Sequence, residues 1–398
     1  MEREEIDIFL AGAGPAGLIA AATFAAEGFR VLVADPGPKP GPAGRGDLRS
    51  TAFLRPAQAL FERIGLWPAL APLATPLDGL RIVDLAGEPP TVRTERLFAQ
   101  ASAGPLGWNF MNDSLRGAVL AHLERQPGVE IAWGCGFAAL VNRSTEVLIR
   151  LTDGRRLRAR LAVAADGRAS PMRDAAGIEL SVTRYGQKAL AFAVSHPVPH
   201  DRISTELYLD GGPFTMVPLP DAGGVPASAV VWMNPGPRAT ELAALPPEPF
   251  AAEATRRSGG LLGPLELLTE RALWPVVSQR ARALTSGRVA LIAEAAHVLP
   301  PIGAQGLNTS VMDIAALAQS MAGQPDPGAA AVLARFEASR SRDIAARAIA
   351  IDLFNRVTRS PDRLAQELRQ IGLKLVHDVA PIRRGLIRAG MGPPGQDA

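Results

Sequence analysis

The segment that most constrains this chain lies at its start. Residues 6–11 form a short apolar run that breaks into Gly12-Ala13-Gly14-Pro15-Ala16-Gly17. An alanine-rich stretch follows over about 18–27, Gly28 closes it, and a second apolar run over 29–34 ends on Asp35. This predicts strand, tight turn, helix and second strand, with an acid 18 residues after the last motif glycine. In such a unit Gly12 permits the turn, and Gly14 lets backbone approach a pyrophosphate. Gly17 lets helix and strand pack closely, and Asp35 can accept bonds from a ribose hydroxyl. A dinucleotide site is the favoured reading of this context; the plainer reading of Asp35 is a loop acid before Pro36.

A chain of 398 residues exceeds one simple core and suits two intertwined domains. Its 47% hydrophobic and 20% charged residues describe a globular protein able to bury that core. The net charge of +3 is small and scattered, without a basic stripe carrying aromatics, which excludes nucleic acid as an expected partner. Cys135 is the only cysteine, so no disulfide forms within the chain and a reducing compartment is expected. The acidic start (Glu2, Glu4, Glu5) lacks a signal-peptide layout, and no apolar run approaches the ~20 residues of a membrane span. The expected location is cytoplasmic, at most peripheral on the cytoplasmic face of the inner membrane.

A proline- and glycine-rich loop over 36–46 leads into an expected helix carrying Asp47, Arg49 and Ser50. Arg49 lies where a guanidinium can reach a nucleotide phosphate, with a solvated arginine as the competing reading. Strands are expected over 129–133, 138–141, 147–152 and 156–165, with Asp153-Gly154 as a hairpin. Gly134-Cys135-Gly136 lacks a third glycine and a helix, and reads as a turn. The strand ending at 165 delivers Asp166-Gly167, a place where a backbone nest can meet phosphate or ribose. Strands over 189–195, 204–209, 213–218 and 227–233 read as an inserted antiparallel sheet, a roof for an apolar pocket. Phe192, Phe214, Met216 and Trp232 on that sheet are more often core than pocket.

Near the other end, an apolar strand over 289–293 runs into Glu294-Ala295-Ala296-His297-Val298-Leu299-Pro300-Pro301-Ile302-Gly303-Ala304-Gln305-Gly306-Leu307-Asn308, before a helix from about 309. Small residues, prolines and glycines here turn backbone amides toward whatever sits above the strand end. With the glycine turn some 280 residues upstream, one large cofactor is expected to be gripped from both ends of the chain. Beyond 325 the chain reads as helices, over 335–357 and 364–376, with a tail carrying Arg383, Arg384 and Arg388. That basic amphipathic end suits an anionic membrane or a partner protein, and equally a packed helix with a solvated face.

Together, the turn at 12–17, Asp166-Gly167 and the segment 294–308 resemble the three fingerprints of the class A flavoprotein aromatic hydroxylases, the p-hydroxybenzoate hydroxylase fold. Asp47-Leu48-Arg49, Leu106-Gly107-Trp108 before Asn112, Tyr185 with Gln187, Gly212-Pro213 before Pro218-Leu219, Val231-Trp232 and Arg388-Ala389-Gly390-Met391-Gly392 narrow the resemblance to ubiquinone-biosynthesis hydroxylases of the UbiH/UbiF type. The resemblance spans nearly the whole chain. It implies an α/β fold: a Rossmann-like FAD-binding domain in three parts (1–75, 106–180, 272–322), a substrate-domain excursion (76–105), an inserted antiparallel substrate sheet (181–271) and C-terminal helices (323–398).

It also implies non-covalent FAD, reduced transiently by NADH or NADPH, with O2 added to give a C4a-hydroperoxide that hydroxylates an aromatic, prenylated ring. Gly12, Gly14, Pro15, Ala16, Gly17, Asp35, Arg49, Asp166, Gly167, Glu294, Gly306, Leu307 and Asn308 would hold the cofactor. The Leu307 and Asn308 amides would face the pyrimidine edge of the ring. Pro301, Tyr185, Met216 and Trp232 are the substrate-side candidates; no catalytic acid or base and no metal ligand is assigned, and His297 is expected to pack or cap the loop. A homodimer and peripheral membrane or biosynthetic-complex association are among the expected partners. A hydroxylase of a soluble aromatic or secondary metabolite, a flavin-dependent reductase and a non-catalytic scaffold are the alternatives. One departure stands out: the family motif reads Gly-Asp before Ala-Ala-His, and this chain has Ala293-Glu294.

Overall fold

The structure is a computed structural model and describes residues 4–41, 49–86, 89–99, 104–209 and 211–359. The chain begins with β1 (Glu4–Ala11), α1 (Pro15–Ala26), β2 (Val31–Asp35), β3 (Ser50–Leu54), α2 (Arg55–Arg63), α3 (Trp67–Leu70), β4 (Thr75–Leu77), β5 (Gly79–Ala86), β6 (Thr91–Ala99), β7 (Gly107–Met111) and α4 (Asn112–Leu123). It continues through β8 (Val129–Trp133), β9 (Phe137–Asn142), β10 (Val147–Leu151), β11 (Arg156–Ala164), α5 (Pro171–Ala175), β12 (Leu180–Ser195), β13 (Ile203–Tyr208), β14 (Phe214–Ala222) and β15 (Val225–Pro235). Then come α6 (Gly236–Ala244), α7 (Pro247–Arg257), β16 (Glu266–Leu267), β17 (Ala272–Ala281), β18 (Thr285–Ser286), β19 (Val289–Leu291), α8 (Ala293–Ala296), β20 (His297–Val298), α9 (Gln305–Met321) and α10 (Ala330–Arg359).

β1 lies inside an eight-stranded sheet of order β18-β19-β11-β1-β2-β8, with β10 and β9 branching from β11. It pairs in parallel with both β2 and β11, and β19 in turn lies parallel to β11. Ile8, Phe9 and Leu10 are wholly buried, as expected of a central parallel strand covered by helices on both faces. α1 starts on Pro15, whose ring presets φ for the first helical turn. It is buried from Ala16 through Phe24, which explains why its sequence shows no amphipathic stripe: β1, α4 and α9 enclose it.

The second sheet has nine strands, in the order β20-β17-β12-β15-β14-β13-β5-β6 with β16 beside β12. Alternation along its strands separates two faces. Leu190, Met216, Val230 and Trp232 form one core with Leu242, Phe250 and Ala254 of α6 and α7. Leu80, Ile82, Thr215, Val217, Ala229 and Val231 line a cavity on the other face. A three-stranded sheet, β3-β7-β4, sits beside both.

Several boundaries differ from the sequence reading. Ser50 opens a strand instead of continuing a helix, because β3 pairs antiparallel with β7 and that pairing overrides local propensity; Asp47 and Leu48 lie outside the described residues. β12 begins at Leu180, not 189; its first half is polar and is joined to the rest across a bulge at Arg184/Lys188, where Gly186 takes φ +68°. β17, which begins at Ala272, continues the nine-stranded sheet alongside β12. β19 stops at Leu291, and α9 starts at Gln305, not 309. The expected helix over 364–376 and the arginine tail lie outside the described residues, as does Asp210, the first residue of the Asp210-Gly211-Gly212 turn expected between two strands of the inserted sheet. Among the described residues, no helix is long and apolar enough to cross a membrane.

Candidate active site

The glycine turn is fixed by packing at two positions and open at the third. Gly12 takes φ +98°, and a Cβ there would run into the Ala165 carbonyl at the end of β11. At Gly17 a Cβ would strike the Gly12 carbonyl, whereas at Gly14 it would meet nothing within 4 Å. Gly14 and its neighbours Pro15 and Ala16 line the cavity instead. Asp35 buckles the turn: its carboxylate accepts from the Ala13 N–H at 2.7 Å and the Gly37 N–H at 2.8 Å. The N-terminus of α1 has no side-chain cap, leaving its first amides for a ligand.

The second gripping element begins at Ala293, which sits at φ +56° and donates its N–H to Asp313 Oδ2 at 3.2 Å. The alanine in place of the family's glycine therefore carries a Cβ in left-handed backbone, a conformation glycine adopts freely. Glu294 is exposed on the cavity wall. Gly303 (φ +62°) and Ala304 (φ +54°) then turn the chain into α9, whose N-cap offers no side-chain bond. The first-turn residues Gln305, Gly306 and Leu307 line the cavity with amides that have no intrahelical acceptor. The early start of α9 puts Leu307 and Asn308 inside this turn. The Asn308 side chain is occupied elsewhere: Oδ1 accepts from Leu54 N–H at 2.9 Å, and Nδ2 donates to the Ala52 and Ala304 carbonyls at 2.7 Å.

Behind the loop lies a buried charge network that the sequence reading missed. His297 Nε2 is 2.6 Å from Asp313 Oδ2, and Arg340 Nε on α10 donates to Asp313 Oδ1 at 2.8 Å. Burial alone would raise the Asp313 carboxyl, but His297 and Arg340 overcome it and hold the group below the usual carboxylate range. Arg340 also pairs with Asp343, which binds Arg347, and Arg347 donates to the Gln305 side chain. The packing role expected of His297 is thus a bond that ties the loop to α9 and α10. An aspartate within the apolar run of α9 was the available signal.

One cavity of about 860 Å³ joins these parts. Gly14, Pro15, Ala16, Arg49, Gly167, Glu294, Pro301, Gly306 and Leu307 lie on its wall. Gly12, Gly17, Asp35 and Asn308 shape it from behind. Arg49 is exposed at its edge, its guanidinium carbon 5.6 Å from the Trp274 ring centroid of the second sheet. Of the substrate-side candidates, only Pro301 lines the cavity. Met216 and Trp232 point to the opposite face of their sheet, because each alternates with cavity-facing neighbours (Thr215 and Val217, Val231). Tyr185 packs with Ala189, Met233, Val276, Leu299 and Ile302 instead. The sequence reading also missed Glu206 and Asn109, two buried polar residues on the cavity wall.

These residues fit FAD. An elongated dinucleotide needs a diphosphate seat, and Gly14 with the uncapped α1 provides one where no side chain intrudes. Asp166 accepts the Met172 N–H on Oδ2 at 3.1 Å, while its buried Oδ1 has no partner among the described residues. Burial raises this carboxyl above its ordinary range, as expected of an acceptor awaiting a donor. At the other end, the α9 first turn has free amides of the kind that suit an electron-rich ring edge.

Comparison with known proteins agrees with this geometry. The model of the FAD binding domain family matches residues 5–350. The ubiquinone hydroxylase UbiL of Rhodospirillum rubrum is 33% identical over 97% of this chain and 89% of its own length. The 3-demethoxyubiquinol 3-hydroxylase of Escherichia coli is 24% identical over 98% of this chain and 100% of its own. Among solved structures, p-nitrophenol 4-monooxygenase PnpA from Pseudomonas putida superposes with a TM-score of 0.78 at 19% identity, covering 98% of this chain and 100% of that one, and so shares the fold. With its glycine turn, its Asp166-Gly167 segment and its amide-rich loop converging on one cavity, the chain belongs to the FAD-binding family of class A flavoprotein monooxygenases, among the ubiquinone-biosynthesis hydroxylases.

Proposed function

We propose that this protein hydroxylates the ring of a polyprenylated phenol precursor of ubiquinone, using bound FAD, NAD(P)H and O2. The observation that carries this reading is the continuity of the cavity: the first turn of α9 and the apolar face of the nine-stranded sheet are two sides of one space. The similarity to UbiL supports the choice of substrate. When bound, FAD supplies hydride uptake from NAD(P)H and activation of O2 for transfer to carbon, chemistry that side chains lack.

The chain's own residues do the rest. Gly14, Pro15 and Ala16, with Arg49 at the rim, hold the diphosphate half, and Asp166 Oδ1 accepts a hydroxyl. The amides of Gly306 and Leu307 stabilise negative charge on the ring edge beside them. Pro301 and the Leu80, Ile82, Val217, Ala229 and Val231 wall hold the substrate ring flat and exclude water, which protects the activated oxygen from wasteful release as H2O2. The prenyl tail makes the substrate membrane-resident, so peripheral association with the cytoplasmic face of the inner membrane belongs to the proposal. Ile349 and Leu353, exposed on α10, are compatible with it.

The test is deletion of the gene followed by mass analysis of quinone intermediates. A prenylated ring lacking one hydroxyl should accumulate and disappear on complementation. Unchanged ubiquinone with no such intermediate would remove the proposed substrate while leaving the flavoprotein assignment intact.

A further inference from the structure

Glu206 is a carboxylate that the fold does not explain. It sits on β13 and is 5% exposed, on the cavity face of the sheet, paired across the sheet with Thr215 on one side and Ile82 on the other. On that wall it stands among Leu80, Ile82, Val217 and Val231, with Ser204 and Thr215 as the polar neighbours. Its Oε1 accepts the Gly303 N–H at 3.3 Å and its Oε2 accepts the Tyr208 hydroxyl at 2.7 Å. No salt bridge reaches it among the described residues. Burying a carboxyl without a cation is costly, and a neutral glutamine would pin Gly303 equally well. Buried without a cation, the carboxyl has acceptor capacity left for a donor that arrives later. Each oxygen keeps a lone pair after its present bond, and the bond to Gly303 holds the carboxyl two residues from Pro301, beside the loop assigned to the flavin.

We propose that Glu206 recognises the substrate by accepting a hydrogen bond from a ring hydroxyl, and that it thereby selects phenols and quinols over their ethers and over oxidised quinones. A ring hydroxyl is a donor; an ether or quinone oxygen is only an acceptor and would face the carboxylate unpaired. The bond also sets which edge of the ring lies against Pro301, so Glu206 is a positioning residue as well as a selective one. Burial pushes its carboxyl up from the ordinary range, against the bonds from Tyr208 and Gly303, and a charge-assisted bond from substrate compensates for that burial.

This inference rests on the aromatic-ring reading above, and its test separates the two. The FAD-loaded full chain is titrated with 2-geranylphenol and with its methyl ether, and binding is read from the perturbed flavin absorbance. Wild type should bind the phenol roughly tenfold or more tightly than the ether, the size expected of a hydrogen bond to a charged group. Glu206→Gln should abolish most of that preference, weakening the phenol and leaving the ether nearly unchanged. Equal weakening of both ligands, or an unchanged preference, overturns the proposal. Wild type that binds both ligands without preference overturns it too, even should the variant fail to fold. Failure of wild type to bind either probe strikes the aromatic-ring reading itself, and this inference falls with it.

Discussion

The two sides of the cavity are made from different materials. The cofactor side is built from backbone: Gly12 and Gly17 in contacts that admit no Cβ, uncapped helix ends at α1 and α9, and left-handed turns at Ala293, Gly303 and Ala304. The substrate side is built from side chains projecting from ordinary strands, with Leu80, Ile82, Val217, Ala229 and Val231 as its surface. Backbone sites demand particular residues at particular places. Side-chain walls accept almost any apolar residue of suitable size. The first is therefore conservative in chemistry, and the second is where relatives can change substrates.

This contrast can be broken or sharpened by substitution. The largest effect is expected behind the cofactor loop, where Arg340→Met leaves Asp313 buried with one partner fewer. The expected cost is about 3–5 kcal/mol in urea unfolding, with the flavin content falling in parallel. The pH dependence follows from the depressed Asp313 carboxyl. Its contribution is present above the unfolded-state pKa, near 3.9, and is lost as pH falls through the lower folded value. The gap between wild type and variant should hold near neutrality and narrow below about pH 4; a gap that widens in acid would refute the role given to Arg340.

Gly12→Ala comes next. A methyl at φ +98° against the Ala165 carbonyl has no flexible neighbour to displace, so about 2–4 kcal/mol and most of the bound flavin should be lost. On the substrate side the pattern should reverse. Val217→Phe fills cavity space and should raise the KM for a prenylated phenol about tenfold while the FAD-to-protein ratio stays at the wild-type value. Met216→Leu, one residue away on the other face, should cost under about 1.5 kcal/mol and leave KM unchanged. A KM shift from Met216→Leu would mean that the two faces are not separate.

The smallest effect is expected at the family departure. Ala293→Gly removes a Cβ from left-handed backbone, worth about 1–2 kcal/mol, but frees the unfolded chain by about 0.4–1 kcal/mol. The net should be a stabilisation between zero and about 1.6 kcal/mol, visible as a rise of a few degrees or less in Tm. A lower Tm would show that the alanine methyl packs favourably at that site.

The same contrast explains what the sequence made legible. The strand, turn and helix of residues 4–26 could be read because glycine spacing encodes backbone contacts. The amide-rich loop was visible for the same reason, although its helix began at Gln305, ahead of the residues whose apolar pattern marks it. At Ser50 the local pattern suggests a helix, since only the partner β7, some 60 residues on, makes Ser50–Leu54 extended. Trp232 and Met216 drew attention as large polarizable side chains, but which face a strand turns inward depends on register, which composition does not carry. Glu206 passed unnoticed because nothing local distinguishes a buried glutamate on a strand from a solvated one.

The Asn308 staple has a consequence for how the protein is made. Its bonds to Ala52 and Leu54 span more than 250 positions, and β19 completes a sheet begun by β1. At 5–20 residues per second, on the order of 15–60 s of translation separates the glycine turn from the loop that closes over it. In the later part of that interval, once β11 has been made, the newborn chain exposes the flank of β11 that β19 will cover. The loop side of the cavity therefore exists only once synthesis has passed residue 308.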